Sequence, residues 1–173
     1  MHTGTIELAE FCLLLDVPSR EVRYVLEQGF VPKGTEKSPS TGNRRKFGPG
    51  EAIWLGIVVK LKQTGIKVPL AAELADYAMQ SVRTITRNLN WDWGFQPELG
   101  KFDTENSYVF EIADRKYVRI STTANPSTKE IYSFDWHHAK KPGAVARNVR
   151  PIVIVAVDLG EIAATLGGAT WQV

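Results

Sequence analysis

Leu8-Ala9-Glu10-Phe11-Cys12-Leu13-Leu14-Leu15-Asp16-Val17-Pro18-Ser19-Arg20-Glu21-Val22-Arg23-Tyr24 decides how this 173-residue chain is read. Leu8, Phe11, Cys12 and Leu15 recur at helical spacing while Glu7 and Glu10 lie off that face, which predicts a first helix over 8–15 with Cys12 in the core. Asp16-Val17-Pro18 breaks it. Ser19 is then placed to cap a second helix, Arg20 to Gln28, with Glu21 at its positive end and Gly29 as its stop. Val22 and Leu26 turn inward on that helix, and Arg20, Arg23, Tyr24 and Glu27 share the other side. Guanidinium and phenol groups donate to phosphate oxygens, and arginine also reaches guanine edges. A solvated charged face is the alternative for such a helix taken alone. The turn before it and the basic Asn43-Arg44-Arg45-Lys46-Phe47 after it favour DNA, in the order helix, turn, helix, wing.

Val17 to Tyr24, followed by Gly29-Phe30-Val31-Pro32, resembles the recognition helix and exit of the MerR family of winged-helix transcription regulators. There a hydrophobic-Arg-Tyr step is followed by Gly-Leu-(Leu or Ile)-Pro, then a wing with Gly-Tyr-Arg-x-Tyr and a helix opened by Ser-Pro-Glu-Asp. Arg45-Lys46-Phe47-Gly48-Pro49-Gly50-Glu51 stands at the corresponding place, and Gly65-Ile66-Lys67-Val68-Pro69-Leu70 is similar to the family's Gly-Phe-Ser-Leu entry to a fourth helix. The resemblance runs from Thr5 to Gln80. It implies that Arg23 and Tyr24 contact the DNA backbone, that Arg20 lies near the major groove, and that Arg44, Arg45 and Lys46 form a wing beside the minor groove. Ser19 and Lys33 complete the expected DNA-facing set. The chain departs from the pattern in its wing, where Gly42 to Arg45 is one residue longer than Gly-Tyr-Arg. The cysteines of the metal-sensing members are missing as well, and so is a sustained heptad series for the family's long dimerisation helix.

Beyond the wing, a third helix is predicted from Glu51 to Thr64, with Ile53, Ile57, Val58 and Leu61 inward and Gly65 as its stop. Trp54 either packs in the core or covers the base of the wing. Pro69 suits the first position of a fourth helix, whose Leu70, Leu74 and Ala78 form an apolar stripe and whose helical character extends to about Leu89.

From Ser107 the periodicity changes to two. Tyr108, Phe110 and Ile112 alternate with their neighbours, Lys116 to Ser121 makes a second strand, and Glu130 to Trp136 a third. Pro151 to Val157 is a β-branched run suited to a strand buried on both faces, and Asp158-Leu159-Gly160-Glu161 has the spacing of a capping box for a short helix to Leu166. The expected fold class is α+β: a MerR-like winged helix-turn-helix over 1–88, then a small β-rich domain with a short C-terminal helix over 89–173.

Composition bounds the function. The 43% of hydrophobic residues is enough to bury a core, and the net charge of +2 hides an uneven distribution. Residues 114–150 carry eight Lys/Arg against three Asp/Glu, whereas 66–113 carry four against seven. The basic segment 137–150 either contacts flanking phosphates or is simply solvated. One cysteine allows no internal disulfide, and no apolar run is long enough to span a bilayer, so a cytoplasmic protein without a membrane partner is expected. No phosphate loop, nucleophile elbow or His-Glu-x-x-His motif occurs, so the chain is expected to be no enzyme, with no catalytic or metal-ligating residues and no cofactor.

Double-stranded DNA is the expected partner, bound by a homodimer, with a protein or small-molecule effector at the C-terminal domain. Aromatics such as Trp91, Trp93, Tyr132 and Trp136 wall a pocket, fill a core or line a dimer seam. Two rival functions stand beside this one. The first is an architectural or adaptor protein of phage, plasmid or antitoxin type, for which an exposed apolar patch including Leu14 would speak. The second is a metal-dependent hydrolase using Asp135, His137 and His138, although adjacent strand residues point to opposite faces and so chelate one ion poorly.

Overall fold

A computed structural model describes residues 4–32, 45–88, 108–113, 117–122, 132–133 and 153–167. The order is β1 (Ile6–Glu7), α1 (Leu8–Leu14), α2 (Ser19–Glu27), β2 (Lys46–Phe47), α3 (Pro49–Gln63), α4 (Val68–Asn88), β3 (Tyr108–Ala113), β4 (Tyr117–Thr122), β5 (Tyr132–Ser133), β6 (Ile154–Asp158) and α5 (Leu159–Gly167). The fold is mixed, helices with small antiparallel sheets, consistent with α+β.

Helix α1 buries Leu8, Phe11 and Cys12 on the face expected of it, and Leu15 follows into the core. It ends at Asp16, whose φ of 50° is left-handed, a conformation an aspartate tolerates better than most residues. The Val17 amide then donates back to the Cys12 carbonyl at 3.0 Å. Helix α2 begins one residue earlier than expected, and here the sequence reading needs correction. Pro18 is the capping position, so Ser19 is the first helical residue and caps nothing. Pro18 is extended at φ −63° and ψ 130°, and its carbonyl accepts the Glu21 amide at 2.9 Å. The proline's preset φ favours the extended entry to the helix, and no side chain caps its first turn. Gly29 ends the helix as predicted, at φ 75°, which a β-carbon would strain.

Strand β1 was not foreseen, because two residues carry no periodicity. It pairs antiparallel with β2, placing Ile6 opposite Phe47 and Glu7 opposite Lys46. Phe47 meets Phe11 with ring centroids 5.7 Å apart, and the Leu8 amide donates to the Arg45 carbonyl at 3.1 Å. Residues 45–47 are thereby stitched to the start of α1.

Helix α3 buries the expected Ile53, Ile57, Val58 and Leu61, but every residue from Ala52 to Val59 is buried with them. A helix covered all round needs partners all round. These are α2, α4, α5 and β6. Trp54 resolves to the core, its indole N–H donating to Asp76 Oδ1 at 2.9 Å. Helix α4 starts at Val68, with Pro69 second rather than first, and Leu74 and Ala78 are buried as predicted. Leu70 is only half-buried against the core, and Ala71 and Ala75 complete the stripe.

The second sheet has the order β5-β4-β3-β6, antiparallel throughout, with Phe110 opposite Ile120 on β4 and Val157 on β6. Phe110, Ile112 and Val118 are buried, as the alternation predicted. The β-branched run before Asp158 does not make a strand buried on both faces. β6 lies at the edge of the described sheet, with Val153 just before it 58% exposed, Ile154 50% exposed and only Val157 buried. Branching at the β-carbon reports strand preference, whereas burial depends on what lies across each face. The strand predicted over Glu130–Trp136 is described only at Tyr132–Ser133. Trp91, Trp93, the basic segment 137–150 and Asp135, His137 and His138 lie outside the described residues.

Asp158 caps α5 as its motif predicted, its Oδ1 accepting the Glu161 amide at 3.0 Å. The helix lies against α3 at Gly56, where a β-carbon would stand 3.0 Å from Ile162 Cγ2 and 3.2 Å from Leu15 Cδ1. One hydrophobic cluster runs from Ile6 through α3 to Leu166.

Candidate nucleic-acid interface

Helix α2 divides cleanly. Val22 and Val25 are fully buried and Leu26 packs partly against the core, so Val25 joins the expected inward pair Val22 and Leu26, while Ser19, Arg20, Arg23, Tyr24 and Glu27 are all exposed. Residues 20, 23, 24 and 27 lie on adjacent turns of one side, so two guanidinium groups and a phenol, itself 48% exposed, share that surface. Burial raises the pKa of the Cys12 thiol on α1, and the Arg23 charge only partly offsets this. The thiol is neutral and serves packing.

Two cations from α3 reach the pair of helices. Lys60 Nζ donates to the Leu15 carbonyl at 2.9 Å, satisfying an acceptor at the end of α1. Lys62 Nζ stands 3.4 Å from Glu21 Oε2 and 5.8 Å from the centroid of the Tyr24 ring. Glu21 Oε2 is buried, and Lys62 is its countercharge in an ion pair rather than a well-formed hydrogen bond. Neither lysine was singled out from the sequence. Lys62 is 38 residues beyond Tyr24, and no local pattern joins them.

Of the basic segment 43–47, only 45–47 lie among the described residues. Lys46 is exposed on β2. Arg45 is turned back: its Nη2 lies 3.2 Å from Glu51 Oε1, its side chain is only 12% exposed, and its guanidinium lies 5.7 Å from the Phe47 ring centroid. The ion pair ties Arg45 to the start of α3. Lys33 and Arg44 lie outside the described residues. The structure thus brings Ser19, Arg20, Arg23 and Tyr24 together on one helix and separates Arg45 from the exposed set.

Among the described residues no group of three His, Cys, Asp or Glu is arranged to hold a metal ion, and no helix is long and apolar enough to cross a membrane. No family model matches the chain, and no curated protein or solved structure shows significant similarity to it.

Proposed function

We propose that this chain is a sequence-specific DNA-binding transcription regulator, with α1, the turn over 15–18 and α2 as a helix-turn-helix and α2 as its recognition helix. The observation that carries this reading is the division of α2, with Val22 and Val25 sunk in the core while Arg20, Arg23 and Tyr24 stand exposed together. A helix held by its apolar side and offering donors on the other meets what entry into a major groove requires. The MerR-like order of motifs supports the same assignment and adds Lys33, Arg44 and Lys46 as wing contacts. Residues 89–173 would then dimerise or receive a protein or small-molecule effector, a homodimer suiting a palindromic site.

The test is fluorescence anisotropy of the purified protein against a selected oligonucleotide pool and random duplex, each titrated with salt. The expected result is a marked preference for an enriched palindrome, with affinity falling steeply as salt rises. Equal, weak binding to every duplex would favour the adaptor reading. An exposed apolar patch including Leu14 would speak for that second reading, whereas the single leucine that α1 exposes, at 81%, is ordinary on a protein surface. The apolar residue presented there is Leu13 and not Leu14, which packs partly against the core.

A further inference from the structure

We propose that Lys62, on α3 and outside the helix-turn-helix, is a positioning residue of the α2 face, screening Glu21 and holding the Tyr24 ring so that the face meets DNA as a cationic surface. This rests on the DNA-binding reading above. Glu21 is the acidic residue of α2's first turn, next to Arg20 and one turn before Tyr24. Unscreened, its carboxylate would repel the phosphates that Arg20 and Arg23 are there to attract. The Lys62 ammonium lies 3.4 Å from that carboxylate and 5.8 Å from the Tyr24 ring centroid, so it reaches two successive turns of α2 at once. Both partners of the ion pair are mostly shielded, with side-chain exposures of 26% and 22%, so solvent screens the interaction less than on an open surface. A cation over the ring face also favours one orientation of the phenol.

The role separates from simple docking of α2 on α3 by charge compensation. The experiment measures anisotropy of the full chain with fluorescein-labelled duplex DNA, selected and random, across a salt series, with circular dichroism as a check on folding. Lys62→Met, which keeps the stem and removes the charge, is expected to weaken binding about two- to fivefold at low salt. Lys62→Arg is expected to retain binding, and the Glu21→Gln/Lys62→Met double variant to recover most of what Lys62→Met loses. Glu21→Gln alone, which leaves the lysine uncompensated, is expected to bind more tightly, and it keeps the proposal testable if Lys62→Met fails to fold. Failure of the double variant to recover would overturn the proposal and make Lys62 a direct phosphate contact or a packing residue. So would Glu21→Gln binding no more tightly than the parent. Loss of affinity in Arg23→Ala with none in Lys62→Met sinks this inference alone. A parent protein that binds no duplex sinks the DNA-binding reading and this inference with it.

Discussion

Arg23 and Cys12 belong to neighbouring helices and differ in what their surroundings ask of them. Arg23 is exposed on α2, where the DNA-binding reading makes its guanidinium a contact to DNA. Arg23→Ala should cost about 1–3 kcal/mol of binding and relax specificity at one base pair if the guanidinium reads a base edge. If it touches phosphate instead, binding should weaken uniformly and the salt slope should fall by about one. Unchanged binding would remove α2 as the recognition helix. Cys12 is buried on α1, and burial holds its thiol above its ordinary pKa. The folded state therefore keeps the proton to higher pH than the unfolded chain does. The stability this confers is whole at neutral pH and is lost as pH rises past the ordinary thiol range. In urea titrations over a pH series, the stability advantage of the parent over Cys12→Ala should shrink in that alkaline window. Both side chains were legible in the sequence, since helical spacing alone sorts them to opposite sides of their helices.

At the scale of the element, α3 was foreseen in position but not in environment. Its four expected apolar positions are buried, yet Ala52 to Val59 are covered without interruption. Gly56 marks where the second covering layer arrives, since its missing side chain admits Ile162 and Leu15. Gly56→Ala sets a helix-propensity gain of about 1 kcal/mol against overpacking of about 1–3 kcal/mol. The nearest atom is the Cγ2 of Ile162, a stiff β-branched side chain that is itself buried, so the balance should be destabilising. A lower urea midpoint with an unchanged slope would bear this out, and a raised midpoint would mean that α5 yields easily. β6 shows the same division from the other side. Its branched residues specify a strand, whereas what lies across each face leaves Ile154 half exposed and Val157 buried.

For the whole molecule, the continuous cluster from Ile6 to Leu166 predicts that the helical and β-rich segments lose structure together. Urea unfolding followed by tryptophan fluorescence and by far-ultraviolet circular dichroism should give coincident transitions, and two separated midpoints would mean that 1–88 and 89–173 fold independently. Local patterns sufficed for much of the molecule: α1 and α2 with the turn between them, the glycine stop of α2, the β3–β4 alternation and the Asp158 cap. Each is decided by residues within a few positions of one another. Three things needed the chain to be folded. Pairing of β1 with β2 joins residues about forty apart, the Arg45–Glu51 pair turns one expected wing residue inward, and Lys62 meets Tyr24 and Glu21 only because α3 packs on α2. The sequence by itself determined which residues favour helix or strand and which side of α2 is polar, because periodicity and turn chemistry act locally. Only the tertiary structure decided that α3 is buried all round, that β6 lies at the edge of the described sheet and that Lys62 meets Glu21 and Tyr24, because each depends on a surface supplied by residues far away along the chain.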